Sequence, residues 1–360
     1  MRIKSITIKG FKSIKDQTVP LDQINILIGG NGIGKTNFIS AFELLRDIYD
    51  RNLQRHVLDR GGAEAFLHLG KKTTGRILLE IEIENKGEQN RYGVELRESQ
   101  DRLLIDQAYT AYWSRGKWHT QNCDKNVEEA TIQQDRDSQA WYVGPLLNQF
   151  EVYHFHDTGP RSPIIGYKPV DDNRKLKRDG SNIAPFLYYL QERHPSHFQR
   201  IERTVASIVP FFKSFNLGPS KLNPEQIRLE WRHTDNRDLY FNETQLSDGT
   251  LRFICLTTLL LQPELPHTIL IDEPELGLHP QAINVLAALV QKASIHSQII
   301  ISTQSVTLID NFTPEQIIVV DRQGTTSQYR RLNSEDLQAW LDDYSLGEIW
   351  EMNIIGGQPL

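Results

Sequence analysis

Three stretches carry residue types and spacings suited to phosphate chemistry. Gly29-Gly30-Asn31-Gly32-Ile33-Gly34-Lys35-Thr36 reads as glycine, four residues, then Gly-Lys-Thr. Such glycines let backbone N–H groups converge on phosphate oxygens, and the positive end of a following helix adds to the attraction. Lys35 would then reach the β and γ phosphates of a nucleotide, and the Thr36 hydroxyl would hold Mg²⁺. The second stretch, Thr268-Ile269-Leu270-Ile271-Asp272-Glu273-Pro274-Glu275, is an apolar run ending in adjacent carboxylates. A strand of this kind delivers its acids to the carboxyl edge of a parallel sheet, where such folds bind ligands. Asp272 is the expected Mg²⁺ partner, and Glu273 is placed to orient or deprotonate an attacking water. Taken alone, the same pair reads as a solvated helix start. In the third stretch, Leu246-Ser247-Asp248-Gly249-Thr250, a hydroxyl, an acid and a glycine open a helix. That makes a second N-terminal anion site, or in isolation an ordinary cap.

Elements of matching type flank each stretch. Ile3, Ile6, Ile8 and Phe11 predict a first strand, Val19 and Leu21 a short second one, and Ile24 to Ile28 an apolar third that runs into Gly29. After the glycines, Phe38, Ile39, Phe42, Leu45 and Ile48 recur at helical spacing. A sheet meander is expected from Arg76–Glu84, Asn90–Leu96, Leu103–Trp113 and Ala140–Val143. A surface loop is expected over 158–180. A helical stretch should run from a Ser181 cap to about Phe212, broken at Pro195, followed by a hairpin over 226–242 with Asn236 in its turn. Helix 246–262, strand 267–272, helix 280–293 and strands 298–302 and 316–320 then alternate, the pattern of a parallel sheet. A helix near 334–342 precedes a tail containing Leu346-Gly347-Glu348-Ile349-Trp350 and Ile354-Ile355-Gly356-Gly357.

Composition narrows the classes. Of 360 residues, 39% are apolar and 24% charged, ordinary for a globular protein with a sizeable core. No apolar run approaches the roughly 18 residues of a membrane span, and the N-terminus lacks a secretory signal, so a cytoplasmic setting is expected. Cys123 and Cys255 alone can build neither a disulfide framework nor a cysteine zinc site. The net charge of −6 gives no global footprint for nucleic acid, so DNA binding would need a local patch. Arg174, Lys175, Lys177 and Arg178 are such a run, beside Asp171, Asp172 and Asp179; a solvated loop is the favoured reading, and contact with DNA or RNA phosphates is the alternative. The histidines of Tyr153-His154-Phe155-His156-Asp157 share a strand face, which favours a structural or nucleotide-proximal role, with a metal site as the lesser alternative.

With these motifs in this order, the chain resembles the ABC/SMC-like ATPase heads, and within them the RecF- and OLD-like branch. That group's phosphate loop, G-x-N-G-x-G-K-[ST]-N, is matched by Gly30, Asn31, Gly32, Gly34, Lys35, Thr36 and Asn37. Its LSxG signature is matched by Leu246, Ser247 and Gly249. Its acidic strand is matched by Asp272, Glu273 and Pro274, followed by Gly277-Leu278-His279-Pro280, which is similar to the dimer-contact loop. The resemblance covers the first 45 residues and about 245–322. It implies an α/β P-loop ATPase head with a parallel core sheet, an antiparallel β lobe and a helical insertion. The corresponding divisions are 1–157 (N-terminal ATPase lobe), 158–225 (loop and helical insertion), 226–333 (C-terminal ATPase half) and 334–360 (helix and tail). About 210 residues without heptads separate Thr36 from Leu246, so no long coiled coil is expected.

The resemblance also implies a mechanism: two heads pair face to face, with Mg-ATP between the phosphate loop of one and the signature of the other. Ser247 and Gly249 would then act in trans, and closure would follow ATP. Gly10-Phe11-Lys12-Ser13 is similar to an N-F-[RK]-S element whose basic residue lies near the nucleotide, so Lys12 is a candidate; a solvated strand end is its alternative. At the switch position the family usually has histidine, whereas Ser302-Thr303-Gln304-Ser305 places glutamine there. Gln304 can hydrogen-bond a γ phosphate or water but cannot take a proton, so slow hydrolysis is expected. Only 58 residues follow Ser302, too few for the Toprim nuclease domain of OLD-type proteins. The tail resembles that of stand-alone ATPases found with a small Toprim-like partner. Three readings follow: an ATPase controlling a separate effector in DNA maintenance or anti-phage defence, a RecF-like clamp on DNA, and a nearly non-hydrolysing ATP-bound scaffold.

Overall fold

The computed structural model describes residues 1–134, 139–159, 161–235 and 240–358. The chain divides into two compact units: one of Met1–Val152, Pro266–Leu270 and Ser297–Leu360, the other of Tyr153–Leu265 and Ile271–His296.

The first unit holds two six-stranded sheets. One is the order Ile14–Pro20, Arg2–Phe11, Arg76–Asn85, Glu88–Ser99, Arg102–Ser114, Lys117–Val127, with every neighbouring pair antiparallel. Its strands bury alternate residues, as the one-sided apolar spacing of Ile77, Leu79, Ile81 and Ile83 requires. The other runs Thr326–Arg331, Ile317–Gln323, Ile24–Ile28, Gln298–Thr303, Thr268–Asp272, Phe150–Tyr153. In it, Ile24–Ile28 lies parallel to both Gln298–Thr303 and Ile317–Gln323. Ile24–Ile28, Thr268–Asp272 and Gln298–Thr303 are buried at every residue, because a parallel sheet is covered on both faces. The helix Lys35–Tyr49 buries Phe38, Phe42 and Leu45 in the core that Ile6, Ile8, Ile81 and Tyr92 share. Full burial of one such side chain contributes about 1.5–3 kcal/mol, so the phosphate-loop helix is held by its apolar face.

The second unit is mainly helical. Pro195–Ile208 packs against Asp248–Leu261, which packs in turn against Pro280–Ala293. A three-stranded sheet, Phe212–Phe215, Glu230–His233 and Tyr240–Asn242, carries an aromatic cluster around Trp231. The chain passes between the units within the strand Thr268–Asp272, whose last two residues belong to the second.

Most expected elements are present, several with corrected ends. Ala140–Val143, expected as a strand, opens the helix Ala140–Leu147: Ala140, Val143 and Leu147 are buried while Trp141 and Tyr142 are exposed, a helical period. The 158–180 stretch contains a two-residue strand, Lys168–Pro169, paired with Gln226–Ile227. The helical stretch is two helices, Ile183–Arg193 and Pro195–Ile208, and Phe212 begins a strand instead of ending a helix. Asn182 takes the cap position given to Ser181. Its buried side chain ties the preceding loop together through the Lys177 N–H and the Asp172 and Lys175 carbonyls. The turn residue Asn236 lies outside the described residues. No helix among the described residues is long and apolar enough to cross a membrane.

Candidate nucleotide site

Strand register builds the first half of the site. Thr303 stands beside Ile28 in adjacent parallel strands, so the residues that follow, Gln304 and Gly29, leave the same sheet edge together. The amide of Gln304 donates to the Asn31 side-chain oxygen at 2.6 Å, joining the switch position to the phosphate loop. Lys35 is almost wholly buried, and its ammonium donates to the Gly29 and Gly30 carbonyls at 2.7 and 3.0 Å. Gly32 and Thr36 are exposed at the loop mouth. Gly34 sits at φ +123°, where an added Cβ would lie 2.2 Å from the Ser327 hydroxyl oxygen, so only glycine fits. The Asn37 amide donates to Ser13 at 2.7 Å, and the Tyr329 hydroxyl donates to the Gly34 carbonyl at 2.9 Å.

The Lys12 ammonium lies 5.4 and 5.7 Å from the Phe11 and Phe66 ring centroids. Burial lowers its pKa, with Glu43 opposing and Arg60 adding to the shift. Its neighbour Ser13 accepts from the Asn37 amide.

The second unit gathers the remaining candidates. Ser247 caps the helix Asp248–Leu261: its exposed hydroxyl oxygen accepts from the Thr250 N–H at 3.2 Å. Gly249 packs on the Gly277 carbonyl so closely that a Cβ there would lie 2.1 Å from the oxygen. A cavity of about 170 Å³ opens between Ser247, Gly249, Gly277, His279 and Phe211. Asp272 is buried at the end of its strand, and Glu273 follows at φ +41°, a left-handed conformation uncommon for a non-glycine residue and frequent at functional sites. His156 lies in the electrostatic reach of this acid pair; burial lowers its pKa, while Asp272 opposes the shift.

Arg252, which the motifs do not single out, ties these parts together. It is buried, donates to the Leu276 carbonyl, and reaches the Phe155 and His156 carbonyls at 3.0 and 3.1 Å. The signature helix is thereby fixed to the loop after the acid pair. A lone arginine amid Leu251, Phe253, Ile254 and Leu256 was the available signal.

In the first unit Thr36 offers a hydroxyl and in the second Asp272 a carboxylate, each a hard oxygen of the kind a small divalent cation takes. No cluster of three or more His, Cys, Asp or Glu side chains able to hold a metal occurs among the described residues.

The parallel sheet, the glycine loop joined to the residue after the neighbouring strand, and the antiparallel sheet together are the fold of an SMC-type head. Solved SMC heads share this fold: one bound to the C-winged helix domain of ScpA superposes with a TM-score of 0.63 at 16% identity, over 94% of this chain and 100% of that one. A Pyrococcus furiosus head with an extended coiled coil gives 0.59 at 15%, over 95% and 98%. Residues 24–310 match the family described as "AAA domain, putative AbiEii toxin, Type IV TA system", and the chain belongs to it. Among curated proteins it is similar to Structural maintenance of chromosomes protein 3 of Arabidopsis thaliana, 32% identical over 136 residues (36% of this chain, 10% of that protein). It is also similar to Endonuclease GajA of Bacillus cereus, 43% identical over 47 residues (13% and 8%). The chain thus spans a tenth or less of these relatives' length.

Proposed function

We propose that this protein binds Mg-ATP, pairs with a second copy around it, and hydrolyses it slowly, and that pairing regulates an effector in DNA maintenance or anti-phage defence. The observation carrying this reading is the convergence at one sheet edge of the Gly29–Thr36 loop, the buried Lys35 ammonium and Gln304. Backbone N–H groups and Lys35 would neutralise the phosphates, and Thr36 with Asp272 would hold the cation that shields their charge. Glu273 would orient the attacking water and accept its proton. Gln304 would hold water or a γ-phosphate oxygen without taking a proton. Exposed Ser247, at a helix N-terminus, would serve the γ phosphate bound by the other copy. The nuclease relative GajA supports a DNA-related setting and a nuclease-like effector.

Sedimentation of the Glu273→Gln variant tests the pairing. ATP should convert monomer to dimer, and adding Lys35→Ala or Ser247→Arg should abolish the shift. A monomer at every ATP concentration refutes pairing; co-purification of the wild type followed by mass spectrometry should identify the effector.

A further inference from the structure

Residues 345–358 touch both ends of the first unit's half-site. Ser345 caps the helix Leu346–Glu351. Its Gly347 lies against Val306–Ile309, the short helix that starts two residues after Gln304: the Gly347 N–H donates to Asp310 at 2.7 Å. A Cβ on Gly347 would lie 2.5 Å from Val306 Cγ1, so close approach requires glycine there. Ile349 and Trp350 are buried, and Arg330 holds the Ile355 carbonyl at 2.8 Å. The chain then turns through Gly356 and Gly357, both at φ +79°. The Gly357 N–H donates to Asp321 at 2.6 Å, and its carbonyl accepts the Gly30 N–H at 2.6 Å.

The Gly29–Gly30 corner is therefore gripped from opposite directions. Lys35 takes its carbonyls, and Gly357 takes the N–H of Gly30. Two successive glycines are the most flexible residues a loop can contain, so a fixed partner for that N–H restricts which way the carbonyls face. A buried N–H left unpaired is costly, which makes the contact a directional constraint and not a passive touch. Burying Trp350 Nε1 without a partner among the described residues, 3.2 Å from the position of a Gly357 Cβ, leaves that packing little slack.

We infer that residues 345–358 are a positioning brace for the nucleotide site. Gly357 holds the Gly29–Gly30 peptides so that Lys35 stands ready for phosphate, while the helix at Gly347 holds the segment leading from Gln304. The inference rests on the proposed nucleotide reading. Because apparent affinity scales with the fraction of protein in the competent arrangement, loosening the brace weakens nucleotide binding.

The test uses full-length protein with a fluorescent ATP analogue, amide hydrogen exchange over 29–34, and melting curves. Gly357→Val, which introduces a side chain at positive φ, should weaken analogue binding about tenfold and speed Gly30 exchange. Asp321→Asn should do both to a smaller degree, and it covers the case in which Gly357→Val does not fold. Equal affinity and equal Gly30 exchange in folded variants overturn the brace. If wild type binds no analogue, the nucleotide reading fails instead, and Gly30 exchange in unliganded protein still decides whether the brace exists.

Discussion

Replacing Gly249 with alanine tests the packing that sets the position of Ser247. In an ordinary helix interior the change would stabilise by about 0.5–1 kcal/mol, because glycine is the poorer helix former. Here the new Cβ would lie 2.1 Å from the Gly277 oxygen and 3.0 Å from its carbon. A carbon and a carbonyl oxygen rest at about 3.3 Å, so the helix start and the 277 loop must part by about 1 Å. Backbone sits on both sides, and Arg252 pins the two segments by its bond to Leu276, so no flexible side chain can absorb the shift. Such overpacking costs about 1–3 kcal/mol, enough to reverse the helical gain. A misplacement of that size at a reacting centre lowers turnover by about 10²-fold. The assay is melting temperature together with ATP turnover, with Gly75→Ala as control, since nothing lies within 4 Å of a Cβ there. Gly249→Ala should melt lower and turn over far more slowly than wild type, and the control should match wild type. A Gly249→Ala protein as stable and as active as wild type refutes the reasoning.

Further outcomes follow from individual side chains. Gln304→His should raise a slow wild-type turnover by supplying a proton acceptor; fast and equal rates in both proteins would contradict this. Burial pushes the Cys255 thiol up to about 12 while Cys123 is only partly buried, so a thiol reagent at pH 8 should modify Cys123 alone until the protein is unfolded. Modification of both in the native protein would show that the Cys255 site opens. Hydrogen bonds from Ser334 hold the Glu315 carboxyl down to about 2 against an ordinary 4.5. A depressed acid stabilises above its unfolded value, so this small, solvent-screened contribution should disappear as pH falls from about 4.5 to about 2. NMR titration should find Glu315 ionised at pH 3.5 in wild type and more protonated in Ser334→Ala, which loses the hydroxyl but keeps the residue-334 N–H donor; an ordinary value in wild type would contradict the assignment.

The strands and loops that carry the chemistry were legible because their signals are local. Ile24–Ile28 reads as a strand by its unbroken apolar run, and its bounds coincide with the observed ones. The helices after Gly34 and Ser247 follow from spacing and caps. Lys117–Val127 and Thr326–Arg331 went unread because an edge strand needs few apolar residues: each pairs along one side and carries mostly polar side chains. Trp141 and Tyr142 suggested a strand by their β propensity, yet burial of Val143 and Leu147 decided for a helix. Motifs named Gly249 and Gly277 separately, but their mutual contact, the Arg252 tie and the grip of Gly357 on Gly30 depend on distant segments meeting. No spacing rule encodes such contacts.

Mixing two inactive variants tests the central claim, that each copy supplies Ser247 to the other's Mg-ATP. Lys35→Ala destroys a phosphate loop and Ser247→Arg a signature. If the sites are shared, an equimolar mixture of the two should form hybrid dimers with one intact site each, and because neither variant pairs with itself this restores up to about half of wild-type turnover. A mixture as inactive as either parent would contradict the shared site.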